Sequence, residues 1–246
     1  MSTRIDVFLA EKGYCKSRSQ AAVAISEGRV LIGGVPVTKA SFSVEDGVLV
    51  EVIEKDTRFV SRAGYKLDAA LTAFGVDAAG VVAVDLGAST GGFTDCLLQR
   101  GASFVFAVDV GSGQLDDSLR EDTRVKNMEN TNARYLTREA FDRTVDLVVT
   151  DVSFISQRLL YPAVADILPV GGRFVSLIKP QFEVGKSKVG KGGIVKDPTG
   201  KLFRGVLAEL VAEGKRHGLM LQKHIDSPIK GGDGNREYLA LWVKEG

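Results

Sequence analysis

Lys179 follows the apolar run Arg173-Phe174-Val175-Ser176-Leu177-Ile178 and precedes Pro180, so a cation closes a stretch that reads as a buried strand. A lysine so placed can take a proton, if burial and a second cation favour its neutral form. As an ammonium it can instead stabilise a developing oxyanion. Pro180 would end the strand ladder and limit how far the side chain swings. A surface lysine at a frayed strand end would carry the same local sequence. Asp151, in "TDVSF", stands near the end of another apolar run, where a carboxylate can orient a cation or cap a helix. Asp109 ends "FVFAVDVG" (104–111), where a carboxylate can accept hydrogen bonds from both hydroxyls of a ribose.

A glycine-rich turn precedes these acids. "DLGASTGGFTD" (85–95) follows the apolar run "VVAVDLG" (81–87) and opens a helix that Gly101 closes. Glycines there permit a tight turn and close backbone approach, and the helix offers its positive N-terminus. Gly87 and Gly91 are separated by three residues, so the dinucleotide fingerprint is absent, and so is the lysine of a phosphate-binding loop. A cofactor without phosphates needs space and a carboxylate partner rather than an anion cradle. The pattern D-x-G…D at successive strand ends resembles S-adenosylmethionine-dependent methyltransferases and counts against NAD.

The elements that must hold these residues alternate. After 81–87 and 104–111, apolar strands are expected at "VDLVVTDVSF" (145–154), "GGRFVSLIK" (171–179) and "EYLALWV" (237–243). Helices are expected at "SQRLLYPAVADIL" and at "GKLFRGVLAELVAEGKRHG", where Leu202, Val206, Leu210 and Val211 share one side. Near-continuous apolar strands between helices indicate an α/β fold with a mostly parallel sheet covered on both faces.

The first residues are different. Residues 1–43 hold six Lys/Arg against three acids, and residues 44–56 hold five acids and one lysine. Ile5, Phe8 and Leu9 have helical spacing, with Gly13 as a stop. Ser17 or Ser19 can cap a second helix that ends at Gly28, followed by strand–Gly-Gly–strand in "RVLIGGVPV" and a further strand in "GVLVEVI". "EKDTRFVSRAGYKL" (54–67) reads as a linker, and "EKDTRFV" within it as a hinge.

A formal net charge of +1 excludes a global field that would draw in nucleic acid or membrane, so any polyanion-binding surface is local. No apolar run approaches the ~18–20 residues needed to cross a bilayer, and the N-terminus lacks a signal-peptide core. A cytoplasmic location is the expectation. Cys15 and Cys96 lie far apart, outside any metal-binding spacing, and are expected as buried free thiols. His217 and His224 have no acidic or cysteine cluster beside them and read as structural. No metal site is expected.

The run "SRSQAAVAISEGRVLIGGVPV" resembles the small RNA-binding module of ribosomal protein S-four and many pseudouridine synthases. The resemblance implies that Arg4, Lys16, Arg18 and Arg29 meet RNA phosphates, which position RNA without reading sequence. "SRAGYKL", "DLGASTGGFTD" and "LIKPQFE" resemble motifs of the FtsJ-like ribose 2′-O-methyltransferases over about residues 59–246. Lys66, Asp151, Lys179 and Glu237 match that family's Lys-Asp-Lys-Glu tetrad in order and spacing. With the RNA-binding module in front, the chain resembles the TlyA family of bacterial rRNA 2′-O-methyltransferases, often labelled hemolysins.

This resemblance implies a domain at 1–58 and a Rossmann-like methyltransferase domain at 59–246. The latter would hold a seven-stranded sheet with its last strand antiparallel. S-adenosylmethionine would be bound by Gly87, Ser89, Gly91, Gly92 and Asp109, with an adenine contact near Glu129–Asn132, in which Asn130 is named. Lys179 would be the general base, oriented by Asp151, while Lys66 and Glu237 fix the target ribose. Phe93 and Phe154 either line the cleft or are ordinary core. "KPQFEVGKSKVGKGGIVKD" reads as a mobile basic loop in which Lys186, Lys188 and Lys191 grip RNA, or as a merely solvated one.

The substrate implied is a cytidine of ribosomal RNA. Members that also modify the small subunit tend to carry extra terminal residues. Here Arg4 almost opens the first helix and three residues follow Val243, so the large subunit alone is expected. Two other functions compete: a membrane-active hemolysin, for which no free amphipathic basic helix is evident, and a non-catalytic rRNA-binding or assembly factor. No obligate protein partner is evident.

Overall fold

Apolar runs of four to six residues between helices cannot bury themselves singly, and in a computed structural model of the chain they assemble into one central sheet. The structure describes residues 2–26, 28–45, 47–53, 58–231 and 234–246, with the side chains of Lys186 and Lys191 excepted. The chain divides into two compact units, Met1–Thr57 and Arg58–Gly246.

In the first unit, β1 (Ser2–Arg4) leads into α1 (Ile5–Glu11), and α2 (Arg18–Ser26) follows. Ser17 Oγ accepts a hydrogen bond from the Gln20 N–H, so Ser17 is the residue that caps α2. β2 (Val30–Ile32) lies between β3 (Val35–Pro36) and β5 (Val50–Val52), both antiparallel to it. β1 pairs with β4 (Ser43–Glu45), a second small sheet that the residue pattern did not announce. Ile5, Leu9, Ala21, Ile25 and Val30 close the core of this unit.

The second unit opens with α3 (Ala63–Phe74), which corrects the linker expectation: residues 54–57 lie outside the described residues, and from Ala63 onward the segment is helical. The sheet contains β6 (Val82–Leu86), β7 (Phe104–Val108), β8 (Val125–Met128), β9 (Leu147–Thr150), β10 (Arg173–Ile178), β11 (Leu219–Asp226) and β12 (Tyr238–Lys244). Their spatial order is β11-β12-β10-β9-β6-β7-β8. β6 to β10 pair in parallel, and β12 runs antiparallel between β10 and β11. Parallel neighbours require crossover helices, which cover both faces. α3 and α4 (Gly92–Gln99) pack on one side with Leu67, Leu71, Phe93 and Leu97. α6 (Tyr161–Ile167) and α8 (Lys201–Arg216) pack on the other with Tyr161, Val164, Val206 and Leu210. Two short helices, α5 (Asp117–Arg120) and α7 (Pro180–Glu183), belong to the loops at the site.

Cys96 is buried, which pushes its thiol up to about 12, but Cys15 is only partly buried, contrary to expectation. His217 contacts Glu213 at 3.2 Å, and His224 lies beside the ring of Phe203.

Candidate active site

In an open parallel sheet, ligands gather at the carboxyl ends of the strands, where loops leave for opposite faces. The strand register brings the candidate residues to that edge. Leu86 pairs with Thr150, and Thr150 with Ser176, so Gly87, Asp151 and Lys179 follow from three neighbouring strands. Ile178 pairs with Tyr238 across the antiparallel ladder, which sets Glu237 beside Lys179 in the sheet. Lys66 reaches this edge from α3.

Two ion pairs result. Lys179 Nζ lies 2.5 Å from Asp151 Oδ1, and its hydrogen bond goes to Ser153 Oγ at 2.9 Å. Lys66 Nζ donates to Glu237 Oε2 at 2.6 Å, with both side chains buried. Buried charges need such partners, because a lone one costs several kcal/mol. Pro180 does more than end the ladder. It opens α7, where its missing N–H costs nothing, and Val184 N–H bonds back to its carbonyl.

A cleft of 410 Å³ lies against Gly87, Ser89, Asp109, Gln114, Asn132 and Phe154. A second hollow of 170 Å³ adjoins Ser61, Ala63, Phe93 and Lys179, and shares Gly87, Ser89, Asp151 and Ser153 with the first. Gly87 has φ +88, and a Cβ there would meet the Asp151 carbonyl and Val152 at 3.0 Å, so glycine keeps the shared floor open. Asp109 accepts N–H bonds from Ser89 (2.8 Å) and Gly111 (2.7 Å), which fix its carboxylate at the cleft with lone pairs left over. A cleft of this size with an ordered carboxylate and no phosphate cradle fits S-adenosylmethionine.

The other expected cofactor residues divide. Gly91 and Gly92 pack rather than line the cleft: a Cβ on Gly91 would collide with Leu119, and one on Gly92 with Ser61 Oγ. Asn130 is not among the lining residues, whereas its neighbours Thr131 and Asn132 are. Asn130 instead takes a left-handed conformation (φ 54), and its N–H donates to the Gly111 carbonyl. Phe93 is buried in the wall of the smaller hollow. Phe154 is 92% exposed at φ 64, a strained backbone for a bulky residue, with its ring centroid 5.3 Å from that of Phe182.

Three further acids stand at this edge: Glu129, which bounds the expected adenine contact, Asp85, which opens the D-x-G turn, and Glu183, for which the sequence reading named no role. The Glu129 carboxylate receives the N–H groups of Gln114 (2.8 Å) and Leu115 (3.3 Å). The N–H groups of Gly113 and Gln114 hold it down to about 2. Asp85 is wholly buried beneath the turn, accepts from Thr94 Oγ1 at 2.8 Å, and is pushed up to about 7 by desolvation. Glu183 accepts from Ser156 Oγ (2.6 Å) and from Gln157 N–H (2.9 Å), tying α7 to the segment that carries Phe154. Burial holds its carboxyl above the usual range. Its place in the Lys179-Pro180-x-x-Glu run was the available signal.

The expected RNA contacts lie in both units. Arg4 and Arg18 converge on the buried Asp6 at 3.0 Å each while staying half exposed, and they hold its carboxyl down to about 2. Arg29 donates to the Ile53 carbonyl at 3.1 Å. Lys16 and Lys188 are both exposed. The side chains of Lys186 and Lys191 lie outside the described residues, and their backbones form 3-10 turns at Lys186–Lys188 and Lys191–Gly193. Among the described residues no helix is long and apolar enough to cross a membrane.

Similarity to known proteins agrees with this architecture. The FtsJ-like methyltransferase family matches residues 59–244, and the S4 domain matches residues 3–50. The chain is 46% identical to the 16S/23S rRNA (cytidine-2'-O)-methyltransferase TlyA of Mycobacterium tuberculosis, over 98% of this chain and 89% of that one. It is 35% identical to the 23S rRNA (cytidine-2'-O)-methyltransferase TlyA of Campylobacter jejuni, over 98% and 99%. A solved structure described as a putative hemolysin from Streptococcus thermophilus superposes with a TM-score of 0.78 at 39% identity, over 99% of this chain and 89% of that one. The chain therefore belongs to the FtsJ-like methyltransferases, within the TlyA family.

Proposed function

We propose that this chain methylates the ribose 2′-hydroxyl of a cytidine in ribosomal RNA, using S-adenosylmethionine and acting in the cytoplasm. The observation that carries the reading is the wall shared by the two hollows, with Asp151 on it and its partner Lys179 in the smaller hollow. A methyl donor in the larger hollow and a hydroxyl in the smaller one would face each other across Gly87, Asp151 and Ser153. S-adenosylmethionine, when bound, supplies an electrophilic sulfonium methyl.

The chain's residues do the rest. Asp109 and Ser89 hold the cofactor's polar groups, with Gln114 and Asn132 beside them. Lys179 accepts the hydroxyl proton, and Asp151 and Ser153 fix its Nζ. Lys66 and Glu237 supply a paired cation and anion beside the target ribose. The exposed Phe154 ring offers a surface for an unstacked base, and stacking of this kind is sequence-tolerant. Arg4, Lys16, Arg18 and Arg29, with the lysines of 186–191, hold phosphates. The substrate is a ribosomal subunit, with the large one favoured, since both named relatives act on 23S RNA.

The test is transfer of labelled methyl from S-adenosylmethionine to 30S and 50S subunits separately, with wild type and Lys179→Ala. We expect incorporation into 50S that is lost in the variant while cofactor binding persists. Cofactor binding without transfer to either subunit would overturn the reading in favour of RNA binding alone.

A further inference from the structure

The segment between α7 and α8 that carries the lysines is not held by its own residues alone. Asn235, 2% exposed, spends its whole side chain on it: Oδ1 accepts from the Val195 N–H at 2.9 Å, and Nδ2 donates to the Gly193 carbonyl at 2.9 Å. The segment closes on itself at the same place, where Gly190 N–H donates to the Ile194 carbonyl and Gly193 N–H to that of Gly190. Asn235 is in turn fixed from behind, because its carbonyl accepts the Gly231 N–H at 3.0 Å. Two residues further on, Glu237 makes its ion pair with Lys66, and a Cβ on Gly231 would come within 2.5 Å of the Glu237 carboxylate. One short stretch thus grips the lysine segment with one side chain and Lys66 with the next but one.

We infer that Asn235 is a positioning residue for RNA: it sets the register of the lysine segment relative to the Lys66–Glu237 pair, so that phosphates bound on the segment present the ribose at the catalytic lysine. The inference rests on the proposed function. Part of the expected basic loop has a fixed anchor, since Gly193 and Val195 are both bonded to a buried amide. An Asn is suited to this task because it donates and accepts in one plane, matching a carbonyl and an N–H two residues apart. Buried backbone groups left without such partners are costly, so the segment has a reason to stay on Asn235.

Two variants break the same contact from opposite sides. Asn235→Ala removes the amide. Val195→Pro removes the N–H that Asn235 accepts and leaves the β11–β12 hairpin untouched; Ile194 (φ −92, ψ 130) already has the backbone that precedes a proline. We expect Asn235→Ala in the full-length protein to raise KM for 50S subunits about tenfold, as two lost hydrogen bonds allow, and Val195→Pro, which loses one, to raise it about threefold. We also expect kcat to fall less than threefold, S-adenosylmethionine affinity to hold, and trypsin to cut faster at Lys188 and Lys196. The double variant should do no more than Asn235→Ala alone, because Val195→Pro removes part of the same contact. An unchanged KM in both variants overturns the inference, as do additive effects in the double variant. A fall in kcat and thermal midpoint without a KM change also overturns it, since that marks mere support of Glu237. Failure of wild type to methylate any subunit sinks the proposed function instead, and the trypsin comparison still reports on the clamp.

Discussion

The Lys66–Glu237 pair offers a sharp test, because burial fixes its sign. Both side chains are nearly inaccessible, 10% and 3% exposed, and they meet at 2.6 Å. An exposed pair at this distance would contribute roughly 0–1 kcal/mol. Removing one partner of a buried pair leaves an uncompensated charge and costs about 3–5 kcal/mol, whereas replacing both with apolar groups of similar volume is often near neutral. Methionine is close in length to both residues. Lys66→Met and Glu237→Met should each destabilise the Arg58–Gly246 unit by about 4 kcal/mol, roughly 10 °C in midpoint for a unit of this size. The double variant should recover most of that loss, to within about 1 kcal/mol of wild type, giving a coupling of about 7 kcal/mol. Chemical denaturation of the full-length wild type, both singles and the double, followed by the near-ultraviolet signal of the buried Trp242, reads the cycle. Singles within about 1 kcal/mol of wild type, adding in the double, would refute a desolvated pair. Methyl transfer should be lost in all three variants, so stability and chemistry separate in the double.

Asp85 gives a pH test. Its folded value of about 7 lies above the ordinary 3.8, so the native state keeps a proton that the unfolded chain releases between these values. Stability should therefore fall as pH rises through that window, by an amount on the order of 4 kcal/mol in total. Asp85→Asn should flatten the slope, seen as urea midpoints at pH 5 and pH 8 that converge. Glu129 has the opposite sign: held at about 2, it contributes stability above its ordinary 4.5 that is lost as pH falls toward 2. Glu129→Gln should remove that acid-side dependence and weaken S-adenosylmethionine binding severalfold at pH 7 by calorimetry, because the Gln114 loop loses its anchor. Phe154→Gly should raise the thermal midpoint by relieving a left-handed phenylalanine worth about 1–3 kcal/mol. It should also raise KM for the subunit, and a lower midpoint would contradict the strain.

How legible the site was in the sequence depended on how local each signal was. Lys179, Asp151 and Asp109 were readable because each ends an apolar strand, and strand ends in a parallel sheet converge on one edge. Lys66 and Glu237 lie 171 residues apart, and no spacing links them. Family resemblance named them, and the antiparallel register of β12 explains how they meet. β8 and β11 were missed because their exposure is too mixed for an apolar run: β8 contains Lys126, and β11 reads Leu-Met-Leu-Gln-Lys-His-Ile-Asp. The helix α3 was hidden by the charged and glycine-containing run that leads into it. Asn130 was named from a motif whose next two residues, Thr131 and Asn132, are the ones that line the cleft. There a left-handed turn reverses which residues face the cleft.

The position of β12 bears on when activity can arise. It is the last strand in chain order, yet it lies inside the sheet, between β10 and β11. A chain emerging from the ribosome therefore presents Lys66, the cofactor cleft and Lys179 long before the strand that brings Glu237 arrives. Until then β10 has an open edge, and a lysine destined for burial lacks its anion. Insertion of β12 closes the edge, neutralises Lys66 and, through Asn235, docks the lysine segment in one step. Maturation of the fold and arming of the site are thus the same late event.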